Sequence, residues 1–268
     1  MKRLAVGLAL LCAGCDDLVL GASNATETTT PVEASSVLGF GRVLGRVKPD
    51  GTSTAQAALY LFDPANPAAT LLTADAALYQ GDTRFPLFQT TRANLFATST
   101  DGEEAFTFVP GTLYTFSVDV NVSGSVTTFT ATVEAPSPHR SVEPVNGAGL
   151  VASLSELHLE LSSSANGASA AVSERAAWDT NVVYDSLTFG ATGKTGADAM
   201  VAAHNAASAW DTGGVDLPAA AFPATGDYWV EVFNLGIVAP GEEGVSEGWD
   251  SRSWFVAGAA TGFGVSAQ

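Results

Sequence analysis

The stretch Pro110-Gly111-Thr112-Leu113-Tyr114-Thr115-Phe116-Ser117-Val118-Asp119-Val120 decides the fold class. Tyr114, Phe116, Val118 and Val120 alternate with Thr115, Ser117 and Asp119. That period of two turns one face of an extended strand toward a core and the other toward water. Ser123-Gly124-Ser125 then supplies a turn, and Val126 to Val133 alternates again through Thr127, Phe129, Ala131 and Val133. The two runs predict a β-hairpin.

Working outward, short runs of β-branched and aromatic residues recur between Gly, Pro, Asn and Asp, as in an all-β chain. Phe40 to Val47 and Ala58 to Phe62 precede the hairpin. Leu157, Leu159 and Leu161 alternate with His158 and Glu160, Tyr228 to Phe233 forms another run, and Trp254 to Val265 reads as one or two closing strands. Ala197 to Ala209, rich in alanine and free of proline, is the one helix expected. Pro136 and Pro138, then Glu143, Pro144, Asn146 and Gly147, interrupt the strand pattern and predict a boundary between residues 38–136 and 147–268.

A weak repeat supports that division. Pro110-Gly111-Thr112-Leu113-Tyr114 opens the strand described first, and Pro223-Ala224-Thr225-Gly226-Asp227-Tyr228 opens the later one. Each places a turn, a tyrosine and then alternating apolar residues. This resembles the tyrosine-bearing entry to a late strand in fibronectin type III and immunoglobulin-like domains. The resemblance implies two antiparallel β-sandwich domains, each with a tyrosine hydroxyl that caps a neighbouring loop, and says nothing of function.

The N-terminus carries a different signal. Met1, Lys2 and Arg3 form a short basic region, and Leu4 to Leu11 an apolar run too short to span a bilayer, as in a signal peptide. Leu11-Cys12-Ala13-Gly14-Cys15 resembles the lipobox of bacterial lipoproteins, with Cys12 where that pattern usually has leucine. The resemblance implies removal of residues 1–14 and a lipid on Cys15, the anchor to a membrane. From Asp16 to Val37 the chain is rich in Ser, Thr, Ala and acidic residues. Residues 15–37 therefore read as the lipidated cysteine and a flexible tether, about 25 Å long as a coil and about 75 Å if pulled straight.

Cleavage leaves 254 residues and takes away Lys2 and Arg3, so the formal net charge moves from −17 to −19. So acidic a surface repels phosphate backbones and anionic headgroups, which argues against nucleic-acid partners and leaves membrane attachment to lipid. With Cys12 removed and Cys15 acylated, no thiol remains for a disulfide, a zinc site or a nucleophile.

Motifs that could carry chemistry fail on context. Gly190-Ala191-Thr192-Gly193-Lys194-Thr195 has the lysine and threonine of a phosphate-binding loop, but Thr188 stands where its first glycine belongs, so no nucleotide is expected. Gly244-Val245-Ser246-Glu247-Gly248 matches a nucleophile elbow, yet neither flank supplies the strand or the helix that elbow needs. The acidic groups at Asp101, Glu103 and Glu104, and at Glu242, Glu243, Glu247 and Asp250, lack the alternating spacing of a calcium loop. No catalytic residue, metal or cofactor is therefore assigned.

All five tryptophans lie in the second half, and three begin the triplets Trp178-Asp179-Thr180, Trp210-Asp211-Thr212 and Trp249-Asp250-Ser251. Asp followed by Thr or Ser favours a side-chain-bonded turn, which would make each tryptophan an edge-packing residue. The competing expectation is that Trp178, Trp210 and Trp249 stand exposed at loop ends and stack on a glycan or a protein. The whole resembles the many lipoproteins of unknown function in bacterial envelopes such as those of myxobacteria. The expectation is a non-catalytic binding, adhesion or scaffold module, anchored in the outer rather than the inner membrane. Its rival is an extracytoplasmic hydrolase acting on glycan or ester substrates.

Overall fold

The computed structural model describes residues 36–65, 71, 73–90, 95–98, 106–140, 142–144, 150–151, 155–162, 166–178, 180–186, 196–209 and 214–268. Those residues are all-β apart from one α-helix and two short 3-10 turns. The hairpin is present as β7 (Leu113–Val122) and β8 (Ser125–Glu134), in register from Leu113 against Glu134 to Val122 against Ser125. Ser123 (φ 52°) and Gly124 (φ 83°) both take positive φ, as a tight two-residue hairpin turn requires. Tyr114, Phe116, Val118 and Val120 are buried together with Phe129, Ala131 and Val133, the face that alternation predicts.

β7 lies beside β3 (Thr73–Gln80), which pairs with β4 (Thr83–Pro86), giving a four-stranded antiparallel sheet in the order β4-β3-β7-β8. A second small sheet is formed by β9 (Val142–Pro144), β11 (Leu157–Leu161) and β14 (Gly214–Leu217), with β11 in the middle. Both sit on one face of a large central sheet. Its order is β13 (Val182–Asp185), β12 (Gly167–Glu174), β15 (Gly226–Val238), β16 (Trp254–Ala267), β1 (Leu38–Val47), β2 (Ser53–Phe62), β6 (Leu95–Ala97) and β5 (Phe88–Gln89). β10 (Leu150–Val151) continues alongside β16 beyond the end of β1.

β16 shows how one strand serves every layer. Phe255 and Ala257 join the core beneath the four-stranded sheet, while Val265 and Ala267 join the core beneath the three-stranded one. Alternate residues Trp254, Val256 and Ala260 face the other way, into a third core with α1 (Gly196–Ala209), the predicted helix. Alanines of α1, among them Ala199, Ala203 and Ala207, let it lie close against the sheet.

The organisation differs from two consecutive sandwiches. Residues 38–136 give the central sheet β1, β2, β5 and β6, and residues 147–268 give it β10, β12, β13, β15 and β16. The two stretches are joined by parallel pairing of β1 with β16, from Phe40 against Trp254 to Gly45 against Ala259. The proline-rich break is instead the passage from one small sheet to the other. There Asn234 Nδ2 donates to Ser137 O (2.8 Å) and Thr261 Oγ1 donates to His139 O (3.0 Å). The two breaker clusters were legible, but a strand pairing some 210 residues distant leaves no local mark.

The tyrosine geometry implied by the repeat is present at both positions. Tyr114 Oη accepts from Val109 N (2.8 Å), and Tyr228 Oη donates to Ala224 O (2.9 Å) while accepting from Ala224 N (3.3 Å). Each ring is buried, so its hydroxyl is the partner the loop backbone has in place of water. Tyr114→Phe should lower unfolding free energy by about 1–3 kcal/mol, because Val109 N then loses its acceptor. Equilibrium urea denaturation reads this as a lower midpoint at unchanged slope.

Candidate functional site

Trp178 follows the 3-10 turn Arg175–Ala177 that ends β12, in a loop closed by Asn181 N donating to Ala177 O (2.8 Å). Its indole is partly exposed. Nε1 donates to Glu231 Oε2 (3.0 Å), and the Arg46 guanidinium lies 4.3 Å from the ring centroid. One ring face is thus taken by a cation, and the ring is held from two sides.

Beneath Trp178 is a charged pair in a place where charge is costly. Glu231 lies on β15 between Val230 and Val232, with Phe233, Leu235 and Ile237 farther along the same strand on the helix side. It is 1% exposed, and Arg46 is 4% exposed. Two charges out of water are tolerable only when paired and fully hydrogen-bonded. Here they are: Arg46 donates to the carboxylate from Nη2 and from Nε (3.1 Å to Oε2), and Val47 N donates to Oε1 (3.1 Å). Trp229 Nε1 donates to Val47 O (2.8 Å), and Arg175 lies 5.9 Å from the Trp229 ring centroid.

β1 and β15 are separated by β16, so these side chains meet across it. Gly262 makes room. A Cβ there would stand 2.6 Å from the Trp229 ring, which only a residue without a side chain permits. The sequence reading did not single out this cluster. Its signal was a lone Glu at an inward position of an apolar strand, which implies a buried cationic partner.

Trp249 has another role than the one expected of an exposed stacking ring. It is 6% exposed, packs on Phe129 (5.2 Å between centroids) and Phe255 (4.9 Å), and donates from Nε1 to Thr130 O (3.0 Å). No ring face is left for a ligand, so Trp249 is a core residue. Trp229 and Trp254 are likewise buried. Trp210 lies outside the described residues, as do Cys15, residues 190–195 and the acidic group at 101–104.

Ser246 belongs to the same loop and is also structural. Its hydroxyl accepts from Thr130 N (2.9 Å) and its own N donates to Thr130 O (2.9 Å), while Thr132 N donates to Gly244 O (3.0 Å). The loop therefore covers the free edge of β8, an edge that would otherwise offer backbone groups to another chain. Of the acidic residues here, Glu242, Glu243 and Glu247 are exposed. Asp250 is spent on Arg252, whose hydrogen bonds hold its carboxyl below the usual carboxylate range.

The three histidines are on separate elements. His139 is buried in the passage between β8 and β9. His158 Nδ1 lies 2.5 Å from Asp216 Oδ1 on the exposed side of the three-stranded sheet. His204 lies on α1, across the central sheet, with its ring 5.6 Å from that of Trp254 and its pKa lowered by burial. Among the described residues, no group of three or more His, Cys, Asp or Glu converges as a metal site, and no helix is long and apolar enough to cross a membrane.

No family model matches this chain, and no curated protein matches it. Among solved structures it is similar to the crystal structure of chicken CNTN1 FN1-FN3 domains. That likeness has 10% sequence identity and a TM-score of 0.26, over 90% of this chain and 68% of the other. At that score it carries no argument about function or family, and the fold stands on the sheets themselves.

Proposed function

We propose that this chain is a lipoprotein of the bacterial envelope, held by lipid on Cys15, that displays its layered sheets as a non-catalytic binding, adhesion or scaffold module. The observation that carries the reading is the N-terminal series from Lys2 and Arg3 through Leu11-Cys12-Ala13-Gly14-Cys15, followed by a polar stretch and then a layered β-sheet body. Two acyl chains hold a protein stably, since each buried methylene contributes about 0.8 kcal/mol. The acidic body then stands off the bilayer on its tether, in the outer membrane in preference to the inner, and meets a protein or glycan.

The use of Ser246 supports a non-catalytic body, because its hydroxyl closes the edge of β8. Among the described residues Trp178 remains the candidate contact residue, with its ring partly exposed and hydrogen-bonded to Glu231. Cys15→Ser should move the protein from the membrane fraction to the soluble fraction, and protease added to intact cells should cut the unaltered chain while sparing a soluble periplasmic control. A Cys15→Ser protein that stays with membranes would sink the anchor. Ser246→Ala and His158→Ala should leave partner binding intact. Loss of an ester- or glycan-cleaving activity in either would favour the hydrolase.

A further inference from the structure

We propose that β1 and the side chains that hold its far end form a mechanical clamp, through which the body resists being pulled from a partner while its N-terminus is fixed to the membrane. The proposal rests on the anchoring reading, since that is what makes β1 the first strand among the described residues to take the load. Three observations carry it. An N-terminal strand at a sheet edge could peel away, but β1 lies inside the sheet, with ten residue pairs to β2 on one side and six to β16 on the other.

Second, β1 and the last strand, β16, run parallel, with Phe40 opposite Trp254. The start of β1 and the end of β16 therefore lie at opposite ends of the sheet. Tension between those points slides the two strands past each other, and their hydrogen bonds share the load instead of breaking one at a time.

Third, the far end of β1 is fastened by groups that reach over its neighbour. Glu231 takes Arg46 and Val47 N, Trp229 holds Val47 O, and Trp178 closes over Arg46. Drawing β1 toward the membrane would drag Arg46 off Glu231 and leave a buried carboxylate without its cation. Ordinary stability does not demand this arrangement, because well-packed apolar residues serve a core as well as a buried ion pair. A buried bond at the far end adds to the resistance of the backbone pairing against sliding along that one axis.

Single-molecule force measurement on the chain from Cys15 to Gln268 tests this. Cys15, unacylated, is the only thiol and serves as one handle, with Gln268→Cys or Glu242→Cys as the other. The pair 15 and 268 loads β1 against β16 along their length. The pair 15 and 242 pulls at the loop before β16, at the end where β1 begins, and peels β1 from Leu38 onward. The first direction should unfold at the higher force. Arg46→Met should shorten the folded lifetime at fixed load about a hundredfold in the first direction and leave the second unchanged.

Trp229→Phe keeps an aromatic ring but removes the indole N–H that donates to Val47 O, together with the part of the ring packed against Gly262. It leaves the Arg46–Glu231 pair in place, so it reports even if Arg46→Met fails to fold. It should weaken the first direction alone. Equal forces in the two directions, or a lifetime in the first direction insensitive to Trp229→Phe, would overturn the clamp. Neither readout needs acylation, so a failed anchor and a failed clamp are told apart.

Discussion

Arg46→Met is expected to cost about 3–5 kcal/mol of unfolding free energy, because it strands Glu231 as a buried, uncompensated charge. The cost lies in what is left behind. Arg46→Met combined with Glu231→Leu should recover most of the loss, since it removes the charge that had no partner and packs the space with apolar atoms. Guanidinium denaturation of the wild type, the single variant and the double variant decides it. A double variant as unstable as the single would mean that the bonds from Glu231 to Val47 N and Trp178 Nε1, not the charge pairing, dominate the cluster.

Trp249→Ala should be nearly as damaging, about 3–5 kcal/mol, as expected for a large aromatic truncated inside a core. A second consequence separates it from an ordinary core truncation. The indole anchors the loop that covers β8, so its loss should also free Thr130 and Thr132 backbone groups along that edge. Concentration-dependent aggregation should rise in Trp249→Ala and fall again when a lysine is placed at Thr128 in the same variant. A Trp249→Ala protein of wild-type stability that lost partner binding would restore Trp249 as a contact residue and contradict its place in the core.

Legibility in the sequence followed burial on one face. β7 and β8 could be read because one side is apolar and the other carries Thr, Ser and Asp. β12 could not, although it lies within the central sheet. Its sequence, Gly167-Ala168-Ser169-Ala170-Ala171-Val172-Ser173-Glu174, is small-residue on both faces because both faces are covered. Such a strand has no period to detect and little β-propensity. β15 was visible only from Tyr228 to Phe233, though it runs from Gly226 to Val238, because Asn234 and Gly236 interrupt the apolar pattern.

Those two interruptions are where the chain from Glu134 to Ser137 crosses the sheet. Asn234 binds Ser137 O, and a Cβ at Gly236 would stand 2.4 Å from Glu134 O. The tryptophan triplets likewise combine a local cause with a distant one. Asp250 does accept from Arg252 N (3.0 Å), the side-chain-bonded turn that its type favours. The turn was local and therefore legible, whereas the burial of Trp249 depends on Phe129, some 120 residues earlier.

A lipid on Cys15 is proposed to hold this layered body at a membrane. Mass spectrometry of the N-terminal peptide, taken from the protein extracted from membranes of the cells that make it, tests it most directly. The expected peptide begins at Cys15 and carries diacylglycerol on sulfur. A peptide that retains residues 1–14, or one in which Cys15 carries a free thiol, would contradict it.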